Sequence, residues 1–262
     1  MHVLQFLGGG RMAEALLGGL LSSSVVDASD VAVVEVVAAR RDQLAQRFPG
    51  ITVLAAPAAA IGVVVATKPA DAPAALRDAR QAGMQRVLSI AAGVSTASLE
   101  RAAGDGVAVV RAMPNTPALV GAGASAICAG STASDADLDW AEQLLQSVGI
   151  VVRVPERLMD AVTGVSGSGP AYLFLVAEAL TEAGVLAGLP RDTADVLVRQ
   201  TLLGAATLLA SSDDGPEALR AAVTSPGGTT AAAVRVLESR AVRAAFGDAV
   251  DAAATRSAEL DA

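Results

Sequence analysis

The first half of the chain alternates between short runs of apolar, β-branched residues and longer alanine-rich stretches that mix apolar and polar positions. The apolar runs are nearly continuous, which is typical of strands covered on both faces of a parallel sheet. The intervening stretches predict helices, so the succession predicts βαβ units. We therefore expect a doubly wound α/β domain over residues 1–154. The predicted strands are Val3–Leu7, Val31–Val36, Gly62–Ala66, Val87–Ile90 and Val107–Val110.

The second half, after Val154, has no further strand pattern and consists of segments rich in Ala, Leu and Val. Gly188-Leu189-Pro190 and the polar residues 211–215 separate these segments, which predict helices. We expect an all-α domain over residues 155–262. The helix from Ala171 is apolar almost all round, which indicates that a partner subunit covers it. The predicted helices cover about 171–187, 191–210, 216–222 and 229–259.

The composition supports a globular chain that assembles with copies of itself. Of the 262 residues, 53% are hydrophobic, and the mean hydropathy is +0.51. A membrane-spanning helix needs roughly 20 apolar residues, whereas Glu178 and Glu182 interrupt the best candidate, Ala171 to Ala187. We expect no membrane span, and we assign the surplus apolar surface to a subunit interface. The net charge of −8 argues against nucleic acid and favours a small-molecule partner.

Rare residue types narrow the chemistry. Cys128 is the only cysteine, His2 the only histidine and Lys68 the only lysine. An internal disulfide, a cysteine or histidine metal site and a histidine-based triad are therefore not expected, and we expect no metal. The chain runs from Met1 directly into a strand pattern without a secretion signal, which favours a cytoplasmic protein.

A glycine motif follows the first predicted strand. Residues Gly8-Gly9-Gly10-Arg11-Met12-Ala13 fit G-x-G-x-x-A and open a helical pattern, which predicts a Rossmann-type dinucleotide site. After the second strand, Glu35 can accept a hydrogen bond from the adenosine ribose, whereas Arg40 and Arg41 favour a 2′-phosphate. The two signals conflict.

Two further stretches combine glycine with hydroxyl side chains before a helical pattern. In Thr163–Tyr172, Ser168 is the expected N-cap and Pro170 lies in the first turn. In Thr224–Thr230, a glycine pair and two threonines precede a helix. Each stretch is predicted to direct free N–H groups at an anion.

These motifs resemble the pyrroline-5-carboxylate reductase family over nearly the whole chain. The shared motifs are the glycine loop, Ala66-Thr67-Lys68-Pro69, Ala91-Ala92-Gly93-Val94, Arg111 to Pro117, Thr163–Tyr172 and Thr224–Thr230. The resemblance implies a Rossmann domain followed by a helical dimerisation domain, with dimers often assembled into a ring-like decamer. It also implies reduction of 1-pyrroline-5-carboxylate to L-proline, the last step of proline biosynthesis, by hydride transfer from NAD(P)H.

The resemblance assigns residues to roles. Thr163 is implied as a hydrogen-bond partner of the ring nitrogen, and it is our candidate catalytic residue. The implied substrate-binding residues are Glu156, Ser225, Gly228, Thr229 and Thr230. Glu35 is added to the cofactor-binding residues because it lies at the end of the second predicted strand. The full set is Gly8, Gly10, Arg11, Met12, Glu35, Thr67, Lys68, Pro69, Ala91, Ala92 and Asn115.

Several positions depart from the family pattern. Arg11 stands where the family commonly has Asn or Gln, Thr67 stands where it has Val, and Val36 and Val37 replace polar groups. These positions surround the expected phosphate and adenosine ribose, so both NADPH and NADH stay open, with NADPH favoured.

Three other functions share parts of this sequence pattern. A β-hydroxyacid dehydrogenase uses a lysine in its helical domain, but no lysine follows Lys68. A reductase of another cyclic imine has no need of the Thr224–Thr230 anion site. A non-catalytic dinucleotide-binding protein would retain the fold without turnover.

Overall fold

The computed structural model describes residues 1–260, and its first part is built on one eight-stranded sheet. The strands are β1 (His2–Leu7), β2 (Val31–Val34), β3 (Thr52–Leu54), β4 (Ala60–Val65), β5 (Arg86–Ser89), β6 (Ala108–Met113), β7 (Gly123–Ala129) and β8 (Gly149–Arg153). Their order is β3-β2-β1-β4-β5-β6-β7-β8. All neighbouring pairs are parallel except β6 and β7, which are antiparallel. The predicted doubly wound α/β fold is confirmed.

Helices alternate with the strands of this part. They are α1 (Arg11–Ser22), α2 (Ala38–Arg47), α3 (Ala72–Ala82), α4 (Thr96–Ala103) and α5 (Asp135–Gln146). Successive side chains of a strand point to opposite faces of the sheet, so each strand contributes side chains to two hydrophobic cores. Phe6 packs with Leu16 and Ile127, whereas the next residue, Leu7, packs with Leu76 and Leu99. This burial on both faces is the reason that the strands read as continuous apolar runs.

The remainder of the described chain is helical, as predicted. The helices are α6 (Met159–Val162), α7 (Gly169–Leu186), α8 (Arg191–Ser211), α9 (Pro216–Ala222), α10 (Thr229–Ser239) and α11 (Val242–Glu259). The single helix expected over 229–259 is two helices, because the chain turns at Arg240 and Ala241, where φ of Ala241 is +55°.

The stretch Thr163–Tyr172 differs from its prediction as a loop. Residues Thr163–Gly167 form a π-helical turn that joins α6 to α7. Ser168 has helical backbone angles, and its N–H donates to the Thr163 carbonyl at 2.8 Å. Ser168 is therefore not an N-cap, and the predicted free N–H groups at this point are wrong.

Contacts divide the chain into two compact units. Of the described residues, the first unit comprises 1–168 and 250–260, and the second comprises Gly169–Ala249. Residues 156–168 thus pack with the sheet, although they lie beyond the predicted domain boundary at 154/155. That boundary stays a prediction about the functional domains.

One described segment, Glu156–Leu186, is long and apolar enough to cross a membrane, with 31 residues and a mean hydropathy of 1.2. We expected no such segment, but the π-helical turn joins residues 156–168 to α7 in one helical stretch. Only 6% of its most apolar window is buried within the chain. This finding rests on length and composition alone. A helix that packs against a partner chain is equally long and apolar.

Candidate functional site

Most of the predicted cofactor residues lie at one edge of the sheet. Gly8 follows β1, Thr67 follows β4, Ala91 follows β5 and Asn115 follows β6, and these four strands are neighbouring and parallel. Their carboxyl ends therefore meet at the same edge. The chain reverses its direction across the sheet between β1 and β4, and ligands of open α/β sheets bind at such a switch point.

The glycine loop has the geometry that a pyrophosphate requires. Gly8 has φ of +98°, and a Cβ atom there would lie 2.7 Å from the Ala66 carbonyl oxygen, so the turn admits only glycine. A Cβ atom on Gly10 would meet nothing within 4 Å. No side chain caps the start of α1, where the N–H groups of Arg11 and Met12 begin the helix. This open, positively polarised edge fits a dinucleotide phosphate.

Glu35 and Arg40 contact the Gly9 peptide groups. The Gly9 N–H donates to Glu35 Oε2 at 3.1 Å, and the Val37 N–H donates to Glu35 Oε1 at 2.9 Å. Arg40 donates from Nε to the Gly9 carbonyl at 2.8 Å and from Nη2 to Glu14 at 2.5 Å. The acid and the base that conflicted as cofactor ligands thus both bind the loop itself.

The loop after β4 contains a hydroxyl group that lacks a protein partner. Thr67 Oγ1 is buried, and among the described residues no group donates to it or accepts from it. A buried hydroxyl without a partner costs free energy, so a ligand at this loop would relieve it. Lys68 is exposed, and Pro69 begins a short 3₁₀ turn. These residues fit a border of the dinucleotide.

Ala91, Ala92 and Asn115 lie where the nicotinamide end is expected. Ala91 is buried, and Ala92 is partly exposed. Asn115 accepts from the Ala124 N–H at 2.9 Å and donates from Nδ2 to the Ser166 carbonyl at 3.1 Å. Its amide therefore ties the end of β6 to the π-helical turn.

Thr163 lies in that turn with its hydroxyl proton already used. Thr163 Oγ1 donates to the Met159 carbonyl at 2.9 Å, four residues earlier. A hydroxyl has one proton and two lone pairs, so Thr163 can still accept a hydrogen bond.

Glu156 is held by a network that the sequence did not predict. Its carboxylate accepts from the Thr96 N–H at 2.7 Å, from Thr96 Oγ1 at 2.5 Å and from Arg111 Nη1 at 3.2 Å. Burial raises the pKa of Glu156, but the hydrogen bonds from Thr96 and Arg111 outweigh it and hold the pKa below its usual range. One feature of the sequence could have indicated this network: Arg111 is the single charged residue of the otherwise apolar strand β6. The role of Glu156 as a substrate ligand stays a prediction.

Two neighbours extend this network. Ser257 donates to Asp160 Oδ1 at 2.7 Å, which fastens the end of α11 to the first unit. Cys128 on β7 lies opposite Arg111 on β6 in the sheet register. Burial raises the pKa of the Cys128 thiol to about 11. A thiol with that pKa is unreactive at neutral pH. Among residues 1–260, no three His, Cys, Asp or Glu side chains are grouped to hold a metal.

The remaining predicted residues lie in the second unit, at the start of α10. Gly228 is the N-cap, no side chain caps the helix, and the Gly228 N–H donates to the Ser225 carbonyl at 3.0 Å. Thr229 and Thr230 form the first turn, and Ser225 and Thr229 are exposed. The helix begins where the sequence predicted it, and its free N–H groups can bind a carboxylate.

Comparison with known proteins gives two family models that match the chain. A model of pyrroline-5-carboxylate reductase dimerisation matches residues 156–260. A model described as NADP oxidoreductase, coenzyme F420-dependent, matches residues 3–93. The first model covers most of the helices, and the second covers the glycine loop.

Individual relatives match over the whole length. A pyrroline-5-carboxylate reductase of Synechocystis is 46% identical, across 98% of this chain and 97% of that protein. The structure of a pyrroline-5-carboxylate reductase from Coxiella burnetii has a TM-score of 0.91 and 35% identity, covering 100% of this chain and 99% of that one. The Plasmodium falciparum pyrroline carboxylate reductase with NADP bound has a TM-score of 0.86 and 28% identity, covering 100% and 98%.

Proposed function

The chain belongs to the pyrroline-5-carboxylate reductase family, and on that premise we propose how its residues carry the reduction of 1-pyrroline-5-carboxylate to L-proline. It is an NAD(P)-binding oxidoreductase of proline biosynthesis. The observation that carries this conclusion is the 46% identity to a relative of that activity over 98% of the chain.

The reaction adds a hydride to the carbon of the C=N bond and leaves a proton on the ring nitrogen. The dinucleotide supplies the hydride when it is bound. A protonated cyclic imine is already electrophilic, so the main task of the protein is to align the two reactants and to hold the carboxylate. This task needs no histidine, in agreement with a chain whose one histidine, His2, lies at the start of β1.

The dinucleotide is proposed to lie along the carboxyl edge of the sheet. Gly8, Gly10, Arg11 and Met12 would hold the pyrophosphate, since Gly10 is open and the start of α1 is uncapped. Thr67, Lys68 and Pro69 would border the dinucleotide, with the unpartnered Thr67 hydroxyl as a donor. Ala91, Ala92 and Asn115 would border the nicotinamide.

We propose NADPH as the preferred cofactor, with NADH as the alternative. Arg41 follows the end of β2 and uses Nη1 for the carbonyls of Glu35 and Val36, so its charge lies beside the exposed Val36. A 2′-phosphate there would be attracted by that charge. NADP in the Plasmodium falciparum relative supports the same choice.

The substrate carboxylate is proposed to bind at the start of α10, through Ser225, Gly228, Thr229 and Thr230. The uncapped N–H groups and the helix dipole support this assignment. Glu156 and Thr163 are proposed to lie near the imine ring. Because the Thr163 proton is donated to Met159, Thr163 would accept from the protonated nitrogen and would not be the acid.

The chain forms a homo-oligomer, as its dimerisation region implies. We propose a homodimer as the basic assembly and a decamer of five dimers as the larger one. We also propose a cytoplasmic location without membrane insertion, which the single buried cysteine and the acidic charge support.

The test mixes the purified protein with 1-pyrroline-5-carboxylate, follows oxidation of NADPH and NADH in parallel, and identifies proline by mass spectrometry. Gly10→Ala is expected to raise the KM of the dinucleotide at least about tenfold, because a methyl group would enter the open space beside α1. Its thermal unfolding midpoint should match that of the parent protein.

Gly18→Ala is the matched control, since Gly18 lies on α1 and an added Cβ makes only an ordinary contact with Phe48 at 3.9 Å. It should leave the KM unchanged. Dinucleotide binding without proline formation would favour another cyclic imine or a non-catalytic role. An unchanged KM in Gly10→Ala would remove Gly10 from the site.

A further inference from the structure

The Gly9 peptide groups are held from both sides by charged side chains distant in sequence. Glu35, at the end of β2, accepts from the Gly9 N–H, and Arg40, on α2, donates to the Gly9 carbonyl. Glu14, on α1, binds Arg40 at 2.5 Å and is only 16% exposed. We call Glu14, Glu35 and Arg40 the loop clamp.

Gly9 is turned toward the protein and away from the expected pyrophosphate. A Cβ atom on Gly9 would lie 2.4 Å from Leu44 Cδ1 and 3.2 Å from Glu35 Oε2, whereas one on Gly10 would meet nothing within 4 Å. The two neighbouring glycines thus face different environments. The polar groups of Gly9 are bound by side chains of the protein, and the Gly10 carbonyl accepts from the Glu14 N–H at 2.9 Å, which leaves the N–H groups of Gly10 and Arg11 for a ligand.

The hydrogen bonds of the clamp residues orient their charged groups toward the phosphate-binding loop. Both oxygens of Glu35 accept backbone N–H groups, from Gly9 and Val37. Every guanidinium nitrogen of Arg40 has an acceptor, namely Gly9, Gln43 and Glu14. Glu35 keeps unused lone pairs and Arg40 keeps two N–H groups, but these contacts fix both charged groups against the loop, α1 and α2. Their first effect is therefore on the shape of the loop.

We propose that the loop clamp is a positioning device that holds the phosphate-binding loop in the shape both dinucleotides need, and that neither Glu35 nor Arg40 selects between NADH and NADPH. This proposal rests on the proposed dinucleotide site. Under this proposal, Glu35 and Arg40 set the shape of the loop, and other groups recognise the 2′-phosphate.

The alternative is that Glu35 accepts from the ribose 2′-hydroxyl while Arg40 binds the 2′-phosphate, and the two ideas predict opposite patterns. If these residues were selectors, Glu35→Gln would weaken NADH and spare or strengthen NADPH, and Arg40→Gln would weaken NADPH alone. If they form a clamp, each substitution weakens both dinucleotides by the same factor.

The experiment measures the dissociation constants of NADH and NADPH by isothermal titration calorimetry on the intact protein. For Glu35→Gln and for Arg40→Gln, both constants should rise about tenfold, which corresponds to one charged hydrogen bond, and their ratio should stay within about twofold of the parent value. A change confined to one dinucleotide, or no change in either, would overturn the proposal.

Asp42→Asn is the matched control, because Asp42 is an exposed carboxylate on α2 and its loss removes the same charge. It should alter neither constant by more than about twofold. An effect equal to that of Glu35→Gln would show general charge to be responsible and would also overturn the clamp.

Hydrogen exchange supplies a readout independent of binding and turnover. Amide exchange in the peptide containing Gly9 should be faster in Glu35→Gln than in the parent protein, and unchanged in Asp42→Asn. Saturating dinucleotide should restore kcat in the clamp variants, whereas a merely misfolded variant would lose kcat at every concentration. If the parent protein bound neither NADH nor NADPH, the proposed function would fail. If the parent protein bound both and a variant lost affinity for only one of them, the clamp alone would be refuted.

Discussion

At the scale of single residues, the direction of a hydrogen bond decides what a side chain can do. Thr163 donates to Met159, so an approaching ring nitrogen can only donate to it. Thr163→Val keeps the shape and removes the acceptor. We expect kcat to fall roughly tenfold to a hundredfold with an unchanged KM for the dinucleotide, because a hydrogen bond to a charged group is lost. Steady-state kinetics with each substrate varied in turn measures both quantities.

Ser166→Ala provides the control for that substitution. Ser166 lies in the same π-helical turn, and its hydroxyl donates to the Val162 carbonyl four residues earlier at 3.1 Å. The control therefore loses the same kind of bond without a proposed role in the reaction, and its kcat should be unchanged. Equal losses in both variants would assign Thr163 to the turn instead of the reaction.

The network around Glu156 leads to a prediction about pH. Its pKa is lowered in the folded protein, so its contribution to stability is present above the unfolded pKa of about 4.3 and is lost as the pH falls through the folded value. Glu156→Gln should cost about 2 kcal/mol at about pH 7, since Arg111 would lose the nearer of its two carboxylate partners, at 3.2 Å compared with 3.9 Å for Asp160. The difference from the parent protein should shrink below about pH 4. Urea unfolding at equal protein concentration measures it.

Glu259→Gln is the comparison for that pH series. Glu259 pairs with Arg256 at the surface, where both side chains are more than half exposed. Such pairs contribute less than about 1 kcal/mol, so the control should change little at either pH. A Glu156→Gln penalty that persisted undiminished in acid would show that packing, not charge, is the cause.

At the scale of elements, the π-helical turn of residues 163–167 offers two glycines for comparison. A Cβ atom on Gly164 would lie 2.7 Å from the Val250 carbonyl oxygen on α11, whereas one on Gly167 would meet the terminal methyl of Met113 at 2.4 Å. A backbone atom cannot yield without moving α11, but a methionine methyl rotates away readily. Gly164→Ala should therefore destabilise by about 2 kcal/mol, and Gly167→Ala by less than about 0.5 kcal/mol.

Urea unfolding of the two variants decides this prediction, with each protein at the same concentration. Equal effects would mean that the contact of Gly164 with α11 does not constrain the turn. A larger effect at Gly167 would mean that the Met113 side chain cannot move.

The same elements indicate how far the sequence predicts the fold. The five central strands could be located because both of their faces are buried, and the glycine loop could be located because its residues are contiguous. Three strands were missed. β7, Gly123–Ala129, is dominated by small residues, β3 has only three residues, and β8, Gly149–Arg153, is an edge strand whose side chains are partly or largely exposed. The π-helical turn was missed because its glycines and serines are also typical of a loop. The contacts of Glu35 and Arg111 depend on residues far apart in the chain, which no local pattern reveals.

At the scale of the whole molecule, the surface of the second unit requires a partner. Leu173, Phe174 and Leu175 of α7 are each more than half exposed within one chain, as are Val196 and Leu203 of α8. Apolar surface of this extent is characteristic of an interface between subunits. The region matched by the dimerisation model, residues 156–260, includes all five. A second copy of the chain is therefore our proposed cover for the helix that is apolar enough for a membrane.

A charge placed on that surface should dissociate the oligomer. Leu175→Glu introduces a carboxylate at a side chain that is 66% exposed in the single chain, and burying it at an interface without a cation is costly. Val120→Glu is the matched control, because Val120 is 81% exposed but lies outside the dimerisation region. Sedimentation velocity should give a smaller species for Leu175→Glu alone. Dissociation by both substitutions would place the contact in the first unit as well, and dissociation by neither would leave α7 free to meet a different partner, such as a lipid bilayer.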